Sequence, residues 1–269
     1  MAAKILIGTS GYSFEDWRGV YYPEDIDRGK MLDYYARDFK TVEINSTYYR
    51  IPNGAIFYHL NRKTPSDFEF ISKVHADVTH KRKNVADSMA ALHEVLQPLK
   101  KAGKLHGLLA QFPWGFKFSP ANLAYLADVK ELAREVPLFV EFRNRSWVRD
   151  DVYRFLAERQ IGYCNVDEPR FSSLVPPQDI ATTPVGYVRF HGRNAKNWWG
   201  RSGGDRYDYD YSPDELKEWL GRIRSLQQKT RKTYLFFNNC HMGHAVLNAK
   251  QMEELLRQQG MLELGTPTT

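Results

Sequence analysis

Leu138-Phe139-Val140-Glu141-Phe142-Arg143 is an apolar run short enough to be one strand, and it ends in charges rather than in a bland turn. Seven other runs share that form. They are Lys4-Ile5-Leu6-Ile7-Gly8-Thr9-Ser10, Thr41-Val42-Glu43-Ile44-Asn45, Phe68-Glu69-Phe70-Ile71-Ser72-Lys73, His106-Gly107-Leu108-Leu109-Ala110-Gln111, Gly162-Tyr163-Cys164-Asn165-Val166-Asp167, Gly186-Tyr187-Val188-Arg189-Phe190-His191 and Tyr234-Leu235-Phe236-Phe237-Asn238-Asn239. Stretches with helical spacing lie between most of them. Strand then helix, repeated about eight times, is the order that builds a parallel barrel. The expected fold is therefore α/β, a single (β/α)8 TIM-type barrel with its strand-end polar residues on one face.

The 269 residues suit one such barrel, and no linker divides them, so residues 1–269 are expected to form one domain. Of the residues, 42% are hydrophobic and 26% charged, which is enough for a core and ordinary for a water-soluble chain. No apolar run approaches a membrane span, and the N-terminus lacks the zones of a secretion signal. The expectation is a cytoplasmic protein without a membrane partner. Cys164 and Cys240 are the only cysteines, too few for a disulfide framework. A net charge of +6 favours polyanions as partners but does not bear on the fold.

The helical stretches carry local punctuation. Ser212, Pro213 and Glu215 read as a capping box, followed by the stripe Leu216, Trp219, Leu220, Ile223 and Leu226. Ser119-Pro120 opens another helix. A last one is predicted from about Gly243, with Val246, Leu247, Met252, Leu255 and Leu256 turned inward and a stop near Gly260. Two connections depart from this pattern. Prolines between Glu168 and Pro184 predict an irregular segment after strand six. A long loop from Gly192 to Tyr211 follows strand seven, and a loop of that length in a compact domain is usually functional or disordered.

Barrel chemistry sits at the C-terminal strand ends. Side-chain alternation puts Glu43 with Asn45, Glu141 with Arg143, and Arg189 with His191. An inward Glu43 or Glu141 must be paired, protonated or awaiting a ligand, so a structural ion-pair network competes with an acid/base role. Glu43, Glu141, Asp167 and His191 are the catalytic candidates. Lys73 suits phosphate contact or, if desolvated, attack on a carbonyl, and phosphate contact is the preferred reading. Arg143 and Arg189 suit an anion, with Ser10, Asn45, Tyr48, Gln111, Asn238 and Asn239 as further ligand contacts. In the long loop, Arg193, Lys196, Trp198, Trp199, Arg201 and Arg206 mix cations with flat aromatic surfaces, as stacking on bases or sugars requires. His75 and His80 lie in a basic segment that also reads as a solvated loop. No HxH, HExxH or paired CxxC spacing occurs, so a divalent metal is only weakly signalled and the cofactor is left open.

Read in order, several strings resemble the YecE-like family, domain of unknown function 72. They are Gly8-Thr9-Ser10-Gly11-Tyr12, Val42-Glu43-Ile44-Asn45-Ser46-Thr47-Tyr48-Tyr49-Arg50, Gln111-Phe112-Pro113, Val140-Glu141-Phe142-Arg143, Asp167-Glu168-Pro169, His191-Gly192 and Phe237-Asn238-Asn239. The resemblance implies a TIM-type barrel and no settled reaction. It also brings a likeness of fold to zinc-dependent abasic-site endonucleases, although their histidine-rich metal set is not evident here, and Asn144 stands where members often carry histidine. Three functions follow as expectations. The first is a hydrolase or phosphodiesterase acting on a phosphate-bearing small molecule or nucleic acid. The second is a non-catalytic nucleic-acid binder, and the third a glycosidase-like or sugar-binding barrel. The oligomeric state is left open.

Overall fold

The eight apolar runs become eight strands in the computed structural model, which describes residues 3–200 and 205–262. They are β1 (Lys4–Thr9), β2 (Thr41–Ile44), β3 (Glu69–Lys73), β4 (Leu105–Gln111), β5 (Leu138–Glu141), β6 (Ile161–Asp167), β7 (Val185–Phe190) and β8 (Lys232–Phe237). All pairings are parallel, in the order β1-β8-β7-β6-β5-β4-β3-β2. Sequential strands lie side by side and the sheet curls until β1 meets β2, giving the expected (β/α)8 barrel. Ser10, Asn45, Arg143, His191, Asn238 and Asn239 fall just past their strands, so the strand-end groups sit in the first loop positions.

No ladder joins β1 to β2. The Tyr35 hydroxyl spans the seam instead, accepting from Thr9 N at 2.9 Å and donating to Thr41 O at 3.1 Å. The approach is close because Gly8 has no side chain: a Cβ there would lie 2.3 Å from Thr41 O. At the N-terminal end, Glu69 holds Lys232 at 2.7 Å and Lys4 at 3.4 Å and accepts from Tyr234, a cluster on the face that serves stability in this fold.

The capping box forms as read: Ser212 Oγ accepts from Glu215 N while Glu215 accepts from Ser212 N. The helix that it starts is broken, however, into Pro213–Lys217 and Leu220–Lys229. Leu216, Trp219, Ile223 and Leu226 are buried and Leu220 partly so. In the last helix, His244–Gln258, the buried face carries Val246, Met252 and Leu256. Leu247 corrects the expectation: it is 39% exposed, because one residue is a 100° turn and carries it off that face. The segment from Glu168 to Pro184 has no helix, as the prolines required. It is tied to β6 by the Asn165 side chain, which exchanges two 2.9 Å hydrogen bonds with the Ile180 backbone. Arg201 lies outside the described residues. Among them, no helix is long and apolar enough to cross a membrane.

Candidate ligand site at the barrel mouth

Alternation along β2, β5 and β7 turns Glu43, Glu141 and Arg189 into the barrel. All three are essentially fully buried, a position that costs several kcal/mol per charge unless partners are supplied. Arg189 supplies them. Its Nη2 lies 2.6 Å from Glu43 Oε1 and its Nη1 2.7 Å from Glu141 Oε2. Tyr187 donates to Glu43 Oε2 at 2.6 Å. Arg143 joins from above, with Nε 2.5 Å from Glu141 Oε1 and Nη1 3.1 Å from Glu168 Oε2. Although burial works against the charge, Arg143, Arg189 and His191 hold the Glu141 carboxyl well below the usual carboxylate range. Burial pushes the Glu168 carboxyl up to about 8 against the pull of Arg143.

His191 closes this network. Its Nδ1 faces Arg143 Nη2 at 3.3 Å and Asn238 Nδ2 at 3.0 Å, both donors, so the ring proton belongs on Nε2, which lies 3.1 Å from Glu141 Oε1. Burial first and Arg143 second drive the His191 pKa well down, leaving a neutral ring. Glu43, Glu141, Arg189 and His191 thus come together as the strand parity predicted, but below the mouth and with both carboxylates already paired, while among the described residues Arg189 Nε and His191 Nε2 have no hydrogen-bond partner.

Above them opens a cavity of about 360 Å³, lined by Lys73, His80, Gln111, Arg143 and Arg206 with Tyr48, Tyr49, Trp114, Trp198, Trp199 and Tyr207. Trp198 is buried and carries two guanidiniums, Arg143 at 5.6 Å and Arg206 at 5.9 Å from its ring centre. Arg206 Nε is buried without a hydrogen-bond partner. Lys73 reaches in from the end of β3; its Nζ donates to Gln111 Oε1 at 2.9 Å and stands 4.3 Å from the Tyr48 ring centre. Burial, reinforced by Arg189 and Arg143 against Glu141 and Glu43, lowers the Lys73 ammonium to about 7. His80 is turned inward by a widened π-type turn over Asp77–Lys81, a form frequent at functional sites. Burial and the nearby Lys73 lower its pKa to about 4. Trp199 and Trp114 form an exposed edge-on pair at the rim, 5.6 Å between centres.

Tyr49 and Tyr207 also line a second lobe of about 300 Å³ with Ser10, Asn45 and Asn238. Ser10 Oγ and Asn238 Oδ1 each lie 3.3 Å from Arg189 Nη2. Of the expected ligand contacts, Tyr48, Lys73, Gln111, Arg143, Trp198 and Trp199 line the main cavity, and Ser10, Asn45 and Asn238 the second.

Asp167, Arg193 and Asn239 line neither. Asp167 is one residue out of phase with the inward Glu168, so its carboxylate faces the outer layer. There it takes Arg193 on both oxygens at 2.8 Å, Tyr211 at 2.8 Å and the Trp219 indole at 2.6 Å. Arg193, expected at a ligand, is spent on Asp167 and on Glu218 at 2.9 Å. Asn239 binds Tyr209 O and Asn248 Oδ1, both at 2.8 Å, and so ties the long loop to the last helix. The loop's aromatic character announced Trp198 and Trp199, but Trp114, Tyr207 and Glu168 were not singled out. Parity from Val166 would have found Glu168. His75 pairs with Asp77 at 3.3 Å and stays outside the cavity. Among the described residues no group of three or more His, Cys, Asp or Glu could hold a metal ion.

A family model described as protein of unknown function DUF72 matches residues 6–269. The chain is 32% identical over 269 residues to UPF0759 protein YunF of Bacillus subtilis, with 94% of each covered. A solved DUF72 family protein of Thermotoga maritima superposes with a TM-score of 0.88 at 41% identity, covering 94% of this chain and 99% of that one. One from Enterococcus faecalis gives 0.84 at 26% identity, with 98% and 99% covered. With a match running nearly end to end and the same barrel in both relatives, the chain belongs to the DUF72 family, as the strand-end strings suggested.

Proposed function

We propose that the barrel mouth binds a small anionic ligand, phosphate- or carboxylate-bearing, with a flat portion held between aromatic walls, and that the protein is an enzyme acting on it. One observation carries this reading: Lys73, Arg143 and Arg206 converge on one cavity, and among the described residues neither Lys73 nor Arg206 has a carboxylate partner. Unpaired cations in a half-closed site favour an anion over water. Neutral His80 and the near-neutral amine of Lys73 are the groups placed to move protons at pH 7. The hydrolase and sugar-acting readings lean on Glu43 and Glu141, whose oxygens Arg189 already occupies, and both readings weaken for that reason. The exposed Trp114–Trp199 pair favours nucleic acid as a second reading, with bases stacked at the rim.

Calorimetry with inorganic phosphate, a mononucleotide and a single-stranded oligonucleotide at two salt concentrations tests both readings. Losing one charge-assisted contact costs about 1.5–3 kcal/mol, so Arg206→Ala should weaken phosphate and mononucleotide binding roughly 10- to 100-fold. Binding of all three that Arg206→Ala leaves unchanged refutes the anion site. Tight oligonucleotide binding that falls with salt and needs Trp199, without mononucleotide binding, selects the second reading.

A further inference from the structure

We infer that Lys73 is a covalent catalytic residue, whose amine forms an imine with the carbonyl carbon of a small anionic aldehyde, keto acid or keto phosphate; this rests on the anion-binding reading above. The geometry is that of a nucleophile rather than of a structural lysine. Lys73 is half-buried in the cavity wall, and a lysine that leaves water ordinarily sets its charge against a carboxylate. Lys104 shows another solution in the same chain, donating to Asn61 O, Thr64 O and Thr64 Oγ1 at 2.7–3.1 Å. Lys73 has neither: among the described residues its only hydrogen-bond acceptor is the neutral Gln111 Oε1, and its Nζ stands over the Tyr48 ring.

The groups that face the amine come from every neighbouring element. They are Arg189 from β7, Arg143 beyond β5, Glu141 and Glu43 beneath it, His80 from the turn after β3 and Tyr48 after β2. Both carboxylates are bound by guanidiniums rather than by the amine, and burial first, with Arg189 and Arg143 beside it, leaves the amine holding its proton weakly, the condition under which a lysine attacks a carbonyl. In the step, the nitrogen lone pair forms the C–N bond while the carbonyl electron pair moves to oxygen. The resulting carbinolamine takes up one proton and releases water, leaving a protonated imine, and hydrolysis returns the amine. The ligand's anion, held by Arg143 and Arg206, offsets the cation that the step creates. His80, with its neutral ring, is placed to pass the protons.

The test is reductive trapping on the intact protein with glyoxylate and cyanoborohydride, beside the uncharged probe acetaldehyde, read by peptide mass mapping from pH 6 to 9. At pH 7 an amine titrating near 7 is about half unprotonated, against roughly one in 2,500 for an ordinary lysine near 10.4. Even with lower intrinsic nucleophilicity, Lys73 should be labelled at least about ten times faster than surface lysines, with a pH inflection near 7 that they lack. Glyoxylate should show the larger preference, and Arg206→Ala should erase that excess. Equal preference for both probes supports the imine and refutes the anion. Labelling of Lys73 no faster than surface lysines by either probe overturns the imine, and phosphate calorimetry on the same sample then shows whether the anion site stands without it.

Discussion

Replacing Arg189 by methionine removes the cation that sits between the two buried carboxylates and leaves a side chain of similar length. Glu141 keeps Arg143 and His191 in that variant, whereas among the described residues Glu43 keeps only the Tyr187 hydroxyl. One uncompensated buried charge costs about 3–5 kcal/mol. At about 2–4 °C per kcal/mol for a chain near this size, the melting temperature should fall on the order of 10 °C. The pH dependence has a definite sign. A carboxyl held low in the folded state, as Glu141 is, contributes stability that is present above its unfolded value near ~4.3 and is lost as pH falls through the folded value. Arg189 supplies part of that stability, so the penalty of Arg189→Met should be full at pH 7 and shrink as pH falls below about 4.5. Urea unfolding followed by circular dichroism at both pH values measures it, and adding Glu43→Gln should recover at least half of the loss. A penalty under about 1 kcal/mol at pH 7, or one that Glu43→Gln does not relieve, would mean that the buried carboxylates are not held by Arg189 as described.

Three further outcomes are expected. Gly8→Ala should destabilise by roughly 2–3 kcal/mol in denaturant unfolding, because its Cβ would press on Thr41 O and open the β1–β2 seam. Glu168 titrates near 8, above its unfolded value, so the wild type loses stability as pH rises from about 5 to 8, and Glu168→Gln should gain on it over that range when melting temperatures are compared. Trp198→Ala should release the loop after β7 from Arg143 and free Arg206 within it, giving faster tryptic cleavage between residues 192 and 211 and weaker phosphate binding, with the barrel's unfolding transition retained.

Local pattern carried much of this protein. Runs of apolar residues at strand length, with amphipathic stretches between them, specify the alternation of β and α, and alternation within β2, β5 and β7 specifies that Glu43, Glu141 and Arg189 meet inside. The Ser212–Glu215 cap is legible because it is closed by atoms three residues apart. The prolines after Glu168 likewise forbid a helix on their own.

What lay beyond the sequence depended on partners distant along the chain. Asp167 ends a strand just as Arg143 follows one, yet a single step of parity and the arrival of Arg193, Tyr211 and Trp219 from residues 26 to 52 positions away make it an anchor for the outer layer. Trp219 is the core residue that its helical stripe indicated, but its indole also serves that carboxylate. Whether Glu43 and Glu141 were reactive or paired turned on where one guanidinium came to rest. Lys73 is the opposite case: the fold encloses it, sets Arg189 and Arg143 against Glu141 and Glu43 around it and pairs it with no carboxylate among the described residues, so burial lowers its amine to about 7. The strands can be read from neighbours along the chain, whereas charge state is set by neighbours in space, and only closing the barrel brings those together.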